Sequence, residues 1–386
     1  TLSLYVGHSV FDEPTHMAGI NHLLEHVLAC NDDIDKSIAE RGLEHNAETH
    51  GGYVRYWFST PREHFEFCLK FLKKLSNKPE FKHVLREANA VRQELITLLE
   101  DTDYHIELAQ IGTLFPDSSY LRGSNAQLMI DTLPKIAKPE ILERYYKKNY
   151  VKNMFIVISG GPKVKGAQKL TEIPKTMTSS VPQMICSYLP VNKRIIHITR
   201  PEVEKSQCVL TFYNQPVLQQ YKDNVKDTIT LATRVLSGGL DSLLYRILRD
   251  KLQLVYSVSC EAEIEPYGVL IEITWSCDSK NVKRSVGAIF TVIKNFTALH
   301  FNGHRNLYLE QLVRQNVLTS EDIVDIYGDR LVTWGNYTPI ETMISRVKKI
   351  KPSDVVTSVK TYMNPDRCFL VHASSKKKAP INSLQI

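Results

Sequence analysis

The residues with the clearest capacity for chemistry fall in Gly19-Ile20-Asn21-His22-Leu23-Leu24-Glu25-His26, an H-x-x-E-H pattern. At a helical period of about 3.6 residues, His22 and His26 lie one turn apart on one face, with Glu25 at its near edge. Leu23, Leu24, Val27 and Leu28 supply the apolar surface that would bury such a helix. Two imidazoles at this spacing can hold one zinc ion, with a carboxylate beside the open coordination position. A pentapeptide also recurs by chance as a solvated histidine pair, so a third ligand decides. Arg86-Glu87-Ala88-Asn89-Ala90-Val91-Arg92-Gln93-Glu94 offers one, inside a helical stretch from about Glu80 to Leu99. Glu87 and Glu94 are two turns apart and project from one face. One carboxylate can bind metal while the other hydrogen-bonds a ligand.

Together, His22-x-x-Glu25-His26 and Glu87-x6-Glu94 resemble the M16 metallopeptidases, an inverzincin family that includes pitrilysin, insulin-degrading enzyme and the mitochondrial processing peptidase. The resemblance implies one Zn2+ per chain, held by His22, His26 and Glu94. It also implies Glu25 as general base and Glu87 as a supporting carboxylate. Asn46-Ala47, followed by Tyr56-Trp57-Phe58, resembles the family's substrate-binding edge strand and its hairpin partner. Arg249 and Tyr256, seven residues apart, resemble the family's Arg-x6-Tyr pair. Tyr256 would then donate to the oxyanion and Arg249 to substrate carbonyls. Two features depart from the family pattern. The interval from His26 to Glu94 is about eight residues shorter than usual, and Leu28-Ala29-Cys30-Asn31-Asp32 replaces a phenylalanine-glycine-threonine stretch. The shortening falls before Asn46, in a loop, where it is best tolerated.

The elements that must position these groups are readable in outline. Leu2 to Val10 reads as a strand, Met17 to Cys30 as the helix of the histidines, and Ile34 to Arg41 as a helix stopped by Gly42. Glu44 to Ser59 reads as a hairpin turning near Gly51-Gly52. Thr60-Pro61 predicts an N-cap followed by proline at the first helical position, with the helix ending near Leu75. Helices follow from about Tyr104 to Leu114 and from Pro139 to Tyr150, then a buried-type strand over Met154 to Ser159. Later strands are expected near Arg194–Thr199, Cys208–Tyr213, Val255–Cys260, Val269–Thr274 and Cys368–His372. A helical region begins at Val225 and breaks at Gly238-Gly239. This order predicts an α+β fold of two homologous layered domains, each a mixed, mainly antiparallel sheet packed with helices. Their expected bounds are 1–165 and 191–386, joined by a Lys-, Thr-, Ser- and Pro-containing linker over 166–190.

A faint internal repeat supports the two-domain reading. Gly239-Leu240-Asp241-Ser242-Leu243-Leu244-Tyr245-Arg246 matches the histidine segment in its glycine and both leucines. About thirty residues later each copy has a glycine leading into a strand, Gly52 and Gly268. In the second copy Ser242, Tyr245 and Arg246 replace the metal-site residues, as if the packing was kept and the zinc lost.

A length of 386 residues suits two domains, each with its own core. The net charge of +6 is mild, and no basic stripe interleaved with aromatics argues for nucleic acid. No apolar run is long enough to span a bilayer. The 7 cysteines are scattered, odd in number and form no C-x-x-C, which predicts free thiols in an intracellular, reducing compartment. The start at Thr1, directly in a strand-like segment, leads us to expect that an N-terminal piece has been removed. The parts point to a zinc endopeptidase of peptides or small unfolded proteins, with Glu25 taking the proton of the attacking water. A non-catalytic M16-like subunit and a zinc hydrolase of non-peptide bonds are the alternatives. Four-domain relatives enclose a chamber within one chain, so a two-domain chain is expected to rebuild it as a homodimer.

Overall fold

The computed structural model describes residues 1–29, 32–160, 181–184, 189, 194–217, 221–316, 320–381 and 383–384. Cys30, Asn31 and most of the expected linker lie outside them. The chain forms β1 (Leu2–Val6), α1 (Ile20–Ala29), α2 (Asp32–Arg41), β2 (Glu44–Thr49), β3 (Val54–Ser59), α3 (Phe65–Asn77), α4 (Val84–Glu100) and α5 (Thr102–Leu114). Next come α6 (Ser119–Gly123), α7 (Ala126–Ile136), α8 (Pro139–Asn149), β4 (Met154–Ile158), β5 (Ile195–Thr199), β6 (Ser206–Asn214) and α9 (Lys222–Ser237). A π-helical segment, Tyr245–Lys251, precedes β7 (Val258–Glu265), β8 (Gly268–Cys277), α10 (Val282–Lys294) and α11 (Phe301–Asn316). The chain closes with α12 (Ser320–Trp334), α13 (Ile340–Lys349), α14 (Pro352–Tyr362) and β9 (Cys368–Ser374).

Two compact units result, one of Thr1–Asp101, Phe115–Gln183 and Gln315–Thr338, the other of Thr102–Leu114, Met184–Arg314 and Pro339–Ile386. Each contains an α+β layer. In the first, the sheet order is β2-β3-β1-β4, with every pair antiparallel. All five residues of β1 are buried, so both faces of this strand are covered. Leu2 and Leu4 pair with Phe58 and Tyr56 on one face, and Phe58 meets Phe71 of α3 edge-on at 5.3 Å. Tyr5 on the other face donates to Val324 O at 3.3 Å and to Asp329 Oδ1 at 3.1 Å, both from α12. Arg55 of β3 forms an ion pair with Asp325 of the same helix. The Tyr5 ring leaves no room for a Cβ on Gly328, so a glycine is required where this helix crosses the sheet.

In the second unit the order is β5-β9-β6-β8-β7, antiparallel except for the β5–β9 pair. Its core joins Leu210, Phe212, Ile271 and Ile273 of the sheet to Val235, Leu236, Ile289 and Val359 of the helices. Here α5 lies on the sheet, with Gln110 Nε2 donating to Thr211 Oγ1 at 2.8 Å. Each unit thus holds one helix drawn from the other half of the sequence. The order β2-β3-β1-β4 recurs as β7-β8-β6-β9, which is what a duplicated ancestor predicts.

Several expected bounds need correction. β1 stops at Val6, and short 3-10 turns at Val10–Asp12 and Thr15–Met17 fill the gap before α1. Thr60-Pro61 does not start α3 directly: a 3-10 turn at Arg62–His64 intervenes, and the Thr60 hydroxyl donates to Pro61 O at 3.0 Å. β7 starts at Val258, which leaves Val255 and Tyr256 in the preceding connection. β4 is half-buried along most of its length.

Candidate metal centre

The start of α1 is built from a buried carboxylate. Glu13 accepts from Gly19 N at 2.8 Å, Asn21 N at 3.0 Å and Asn21 Nδ2 at 2.9 Å. The two backbone N–H groups are among those a helix start leaves without partners, so Glu13 caps α1 from outside the helix. Burial pushes its carboxyl up to about 7 even though these donors pull the other way. Gly19 has a φ of 83°, open to glycine, and packs against Met129. Asn21 Oδ1 accepts the Tyr150 hydroxyl at 2.9 Å, and its amide donates to the Tyr145 hydroxyl at 3.3 Å. Ile20, Leu23, Leu24, Val27 and Leu28 are buried, so the helix is fixed in rotation as well as in position.

That rotation brings the His22 and His26 rings to 5.0 Å centroid to centroid. On α4, the buried stripe Val84, Ala88, Val91 and Leu95 sets which way Glu87 and Glu94 project. Glu94 Oε2 lies 3.4 Å from His22 Nε2 and 3.3 Å from His26 Nε2. The His22 hydrogen bond holds the Glu94 carboxyl below the usual carboxylate range. Glu87 stands behind: its Oε2 is 3.7 Å from His26 Nδ1, and its Oε1 accepts from Arg86 Nε at 2.8 Å. Of the two carboxylates that the sequence left open, the geometry sets Glu94 with the paired Nε2 atoms and Glu87 on the far side of one ring.

Glu25, only 9% exposed, accepts from Thr49 Oγ1 of β2 at 2.8 Å. Strand β2 is an edge strand, and Asn46 and Ala47 lie in its middle, opposite Trp57 and Tyr56. Alternation puts Ala47 on the Thr49 face, whereas Asn46 shares the other face with Glu48, which accepts from Trp57 Nε1 at 3.2 Å. In the second unit, the Arg249 guanidinium sits 4.5 Å over the Tyr245 ring and 4.9 Å over the Tyr256 ring. Tyr256 is 74% exposed. Sequence reasoning missed Glu13, Asn21 and Thr49. For Thr49 a signal existed, since period-two alternation from Ala47 places it on the helix side of the hairpin.

The donor set fits zinc. Tetrahedral coordination with bonds of about 2.0–2.1 Å separates ligand atoms by about 3.3–3.4 Å, and both His–Glu94 separations match that edge. One ligand atom each from His22, His26 and Glu94 all lie within 4.8 Å of one another, the one such cluster found among the described residues. The insulinase family profile, peptidase family M16, matches residues 1–108, and the profile of the M16 inactive domain matches residues 137–303. The chain belongs to the M16 peptidase family. A Rickettsia felis protein described as an uncharacterized zinc protease is 21% identical over 90% of this chain and 85% of its own. Among solved structures, a protease from Helicobacter pylori is similar with a TM-score of 0.79 and 15% identity, over 97% of this chain and 93% of that one. A peptidase M16 inactive domain from Pseudomonas fluorescens is similar with a TM-score of 0.74 and 15% identity, over 97% and 92%. At such identities these structures speak for the shared M16 fold.

Proposed function

We propose that this M16 chain is a zinc-dependent endopeptidase that hydrolyses peptides or small unfolded proteins. The observation that carries the reading is the spacing of the His22, His26 and Glu94 ligand atoms, with the buried carboxylate of Glu25 on the helix of the two histidines. Zinc held there supplies a Lewis acid that lowers the pKa of water and polarises a carbonyl. Glu87, fixed by Arg86, orients the His26 ring through Nδ1 and so presents Nε2 for ligation. Glu25 takes the proton of the attacking water and passes it to the leaving amine, so no covalent acyl intermediate forms. Substrate adds as a strand along the free edge of β2 at Asn46 and Ala47, through main-chain hydrogen bonds tolerant of sequence. Arg249 and Tyr256 bind substrate carbonyls and the oxyanion, supplied by a second copy of the chain in a homodimer. The exposure of Tyr256 and its packing with Arg249 support that role. A purely scaffolding subunit has no use for this donor set, which weighs against that alternative.

The test is a metal analysis paired with digestion of a peptide library, with and without chelator. One zinc per chain and chelator-sensitive cleavage are expected. Cleavage that survives complete metal removal would overturn the reading.

A further inference from the structure

Resting on the peptidase reading, we infer that Thr49 is a positioning residue that fixes which oxygen of Glu25 acts as the base. Register in the β2–β3 hairpin pairs Thr49 with Val54 and Ala47 with Tyr56, both partners being buried. Those residues face α1, whereas Glu48 and Asn46 face the other way with Arg55 and Trp57. Thr49 is the one hydroxyl residue of β2, and its Oγ1 donates to Glu25 Oε2 at 2.8 Å. Among the described residues, no other group hydrogen-bonds the Glu25 carboxylate.

The consequence is chemical as well as steric. Rotation of a glutamate carboxylate about its last torsion is soft and broadly two-fold, so packing of the stem does not fix the plane of the two oxygens. A single O–H donor does fix it. The hydroxyl has one proton, and that proton is committed to Oε2, which leaves Oε1 as the oxygen with free lone pairs. A carboxylate with so little contact with water also requires such a hydrogen-bond partner to stay ordered. Because Thr49 stands two residues beyond Ala47 on the proposed substrate strand, peptide docking and orientation of the base depend on the same short stretch of backbone. The histidines and Glu94 have no part in this contact, so metal binding is independent of it.

The experiment compares the zinc-loaded full chain with Thr49→Val and Thr49→Ser, measuring kcat and KM on a fluorogenic peptide and zinc per chain. A hydrogen bond to a charged group predicts that Thr49→Val lowers kcat about 10- to 100-fold. KM and zinc content should stay within about 2-fold, and Thr49→Ser should recover kcat to within about 3-fold of wild type. Wild-type kcat in Thr49→Val, a serine variant as poor as valine, or a loss that follows zinc content overturns the assignment and leaves the peptidase reading standing. A high-resolution crystal structure of zinc-loaded Thr49→Val supplies a readout independent of turnover. There the Glu25 carboxylate should lose its single orientation while His22, His26 and Glu94 stay in place. If wild-type protein shows no chelator-sensitive cleavage but this reorientation occurs, the peptidase reading falls and the positioning role stands. An unchanged carboxylate overturns the role.

Discussion

Glu87 and Glu94 are the same residue type on one helix, yet burial separates their roles. The Glu87 side chain is 10% exposed and tied to Arg86 and His26, whereas the Glu94 side chain is 56% exposed and reaches both Nε2 atoms. Glu94→Ala, like His22→Ala or His26→Ala, should therefore remove metal and activity together. Glu87→Gln should keep the metal but weaken its binding about 10- to 100-fold, the usual cost of losing an outer partner of a ligand. Glu25→Gln should leave zinc bound and abolish hydrolysis, because an amide keeps the shape but cannot take the proton. Zinc per chain by mass spectrometry, beside turnover, separates the three classes, and near-normal turnover in Glu25→Gln would remove it as the base. A different residue carries a pH prediction. Burial, with His197 beside it, pushes His372 down to about 4 from an ordinary 6.5. Above pH 6.5 both folded and unfolded imidazoles are neutral and stability is complete. As pH falls from there toward 4, the unfolded chain takes up a proton that the folded one resists, costing up to about 3 kcal/mol. His372→Leu should flatten this part of the pH–stability curve, read as the denaturant midpoint at several pH values. A variant curve parallel to wild type would show that His372 does not titrate this way.

At the scale of elements, periodicity told most where one face is apolar and the other polar. The α1 and α4 stripes set the polar faces, so the candidate residues were readable from spacing, while the choice of Glu94 over Glu87 came from the family resemblance. The β2–β3 hairpin was readable because Gly51-Gly52 interrupts a run of strand formers. What failed was local chemistry overridden by packing. Thr60 turned its hydroxyl to Pro61 O instead of capping α3, and β7 starts only at Val258, after a connection over 252–257 that follows the π-helical turns at Tyr245–Lys251. The helix stretches over 115–136 went unread, since α6 is short and α7 carries Pro134. Glu13 was invisible for a different reason: its partners lie across turns with no fixed spacing. The exposed edge of β2 leads to a prediction of its own. If a peptide adds there as a strand, only alternate residues direct their N–H groups toward β2. N-methylation scanned along a good substrate should lower kcat/KM about 10-fold at every second position and little in between. Losses without that period of two would exclude strand addition as the binding mode.

Over the whole molecule, duplication explains both what was legible and what was not. The shared order of β2-β3-β1-β4 and β7-β8-β6-β9 lies behind the faint glycine and leucine matches. The exchange of α5 and α12 between units leaves no such trace, because a helix pairs with a sheet through shape and a few polar contacts, such as Tyr5 with Asp329. On the proposed reading one copy would supply the metal ligands and the other Arg249 and Tyr256, and a homodimer would then offer two composite sites related by a two-fold axis. Complementation tests this. Glu25→Gln and Tyr256→Phe homodimers should each be nearly inactive, one lacking the base and the other the oxyanion donor. When they are mixed and allowed to exchange, a heterodimer gathers both lesions in one site and leaves the second site wild type. Random exchange makes about half of the dimers mixed, so about a quarter of wild-type activity should return if the sites are independent. A tagged pull-down must first show that subunits have exchanged. With exchange shown, an absence of recovery means that Tyr256 acts within its own chain or has no part in the reaction. Zinc content separates these from a trivial cause, because neither substitution touches a ligand and both homodimers should stay fully loaded.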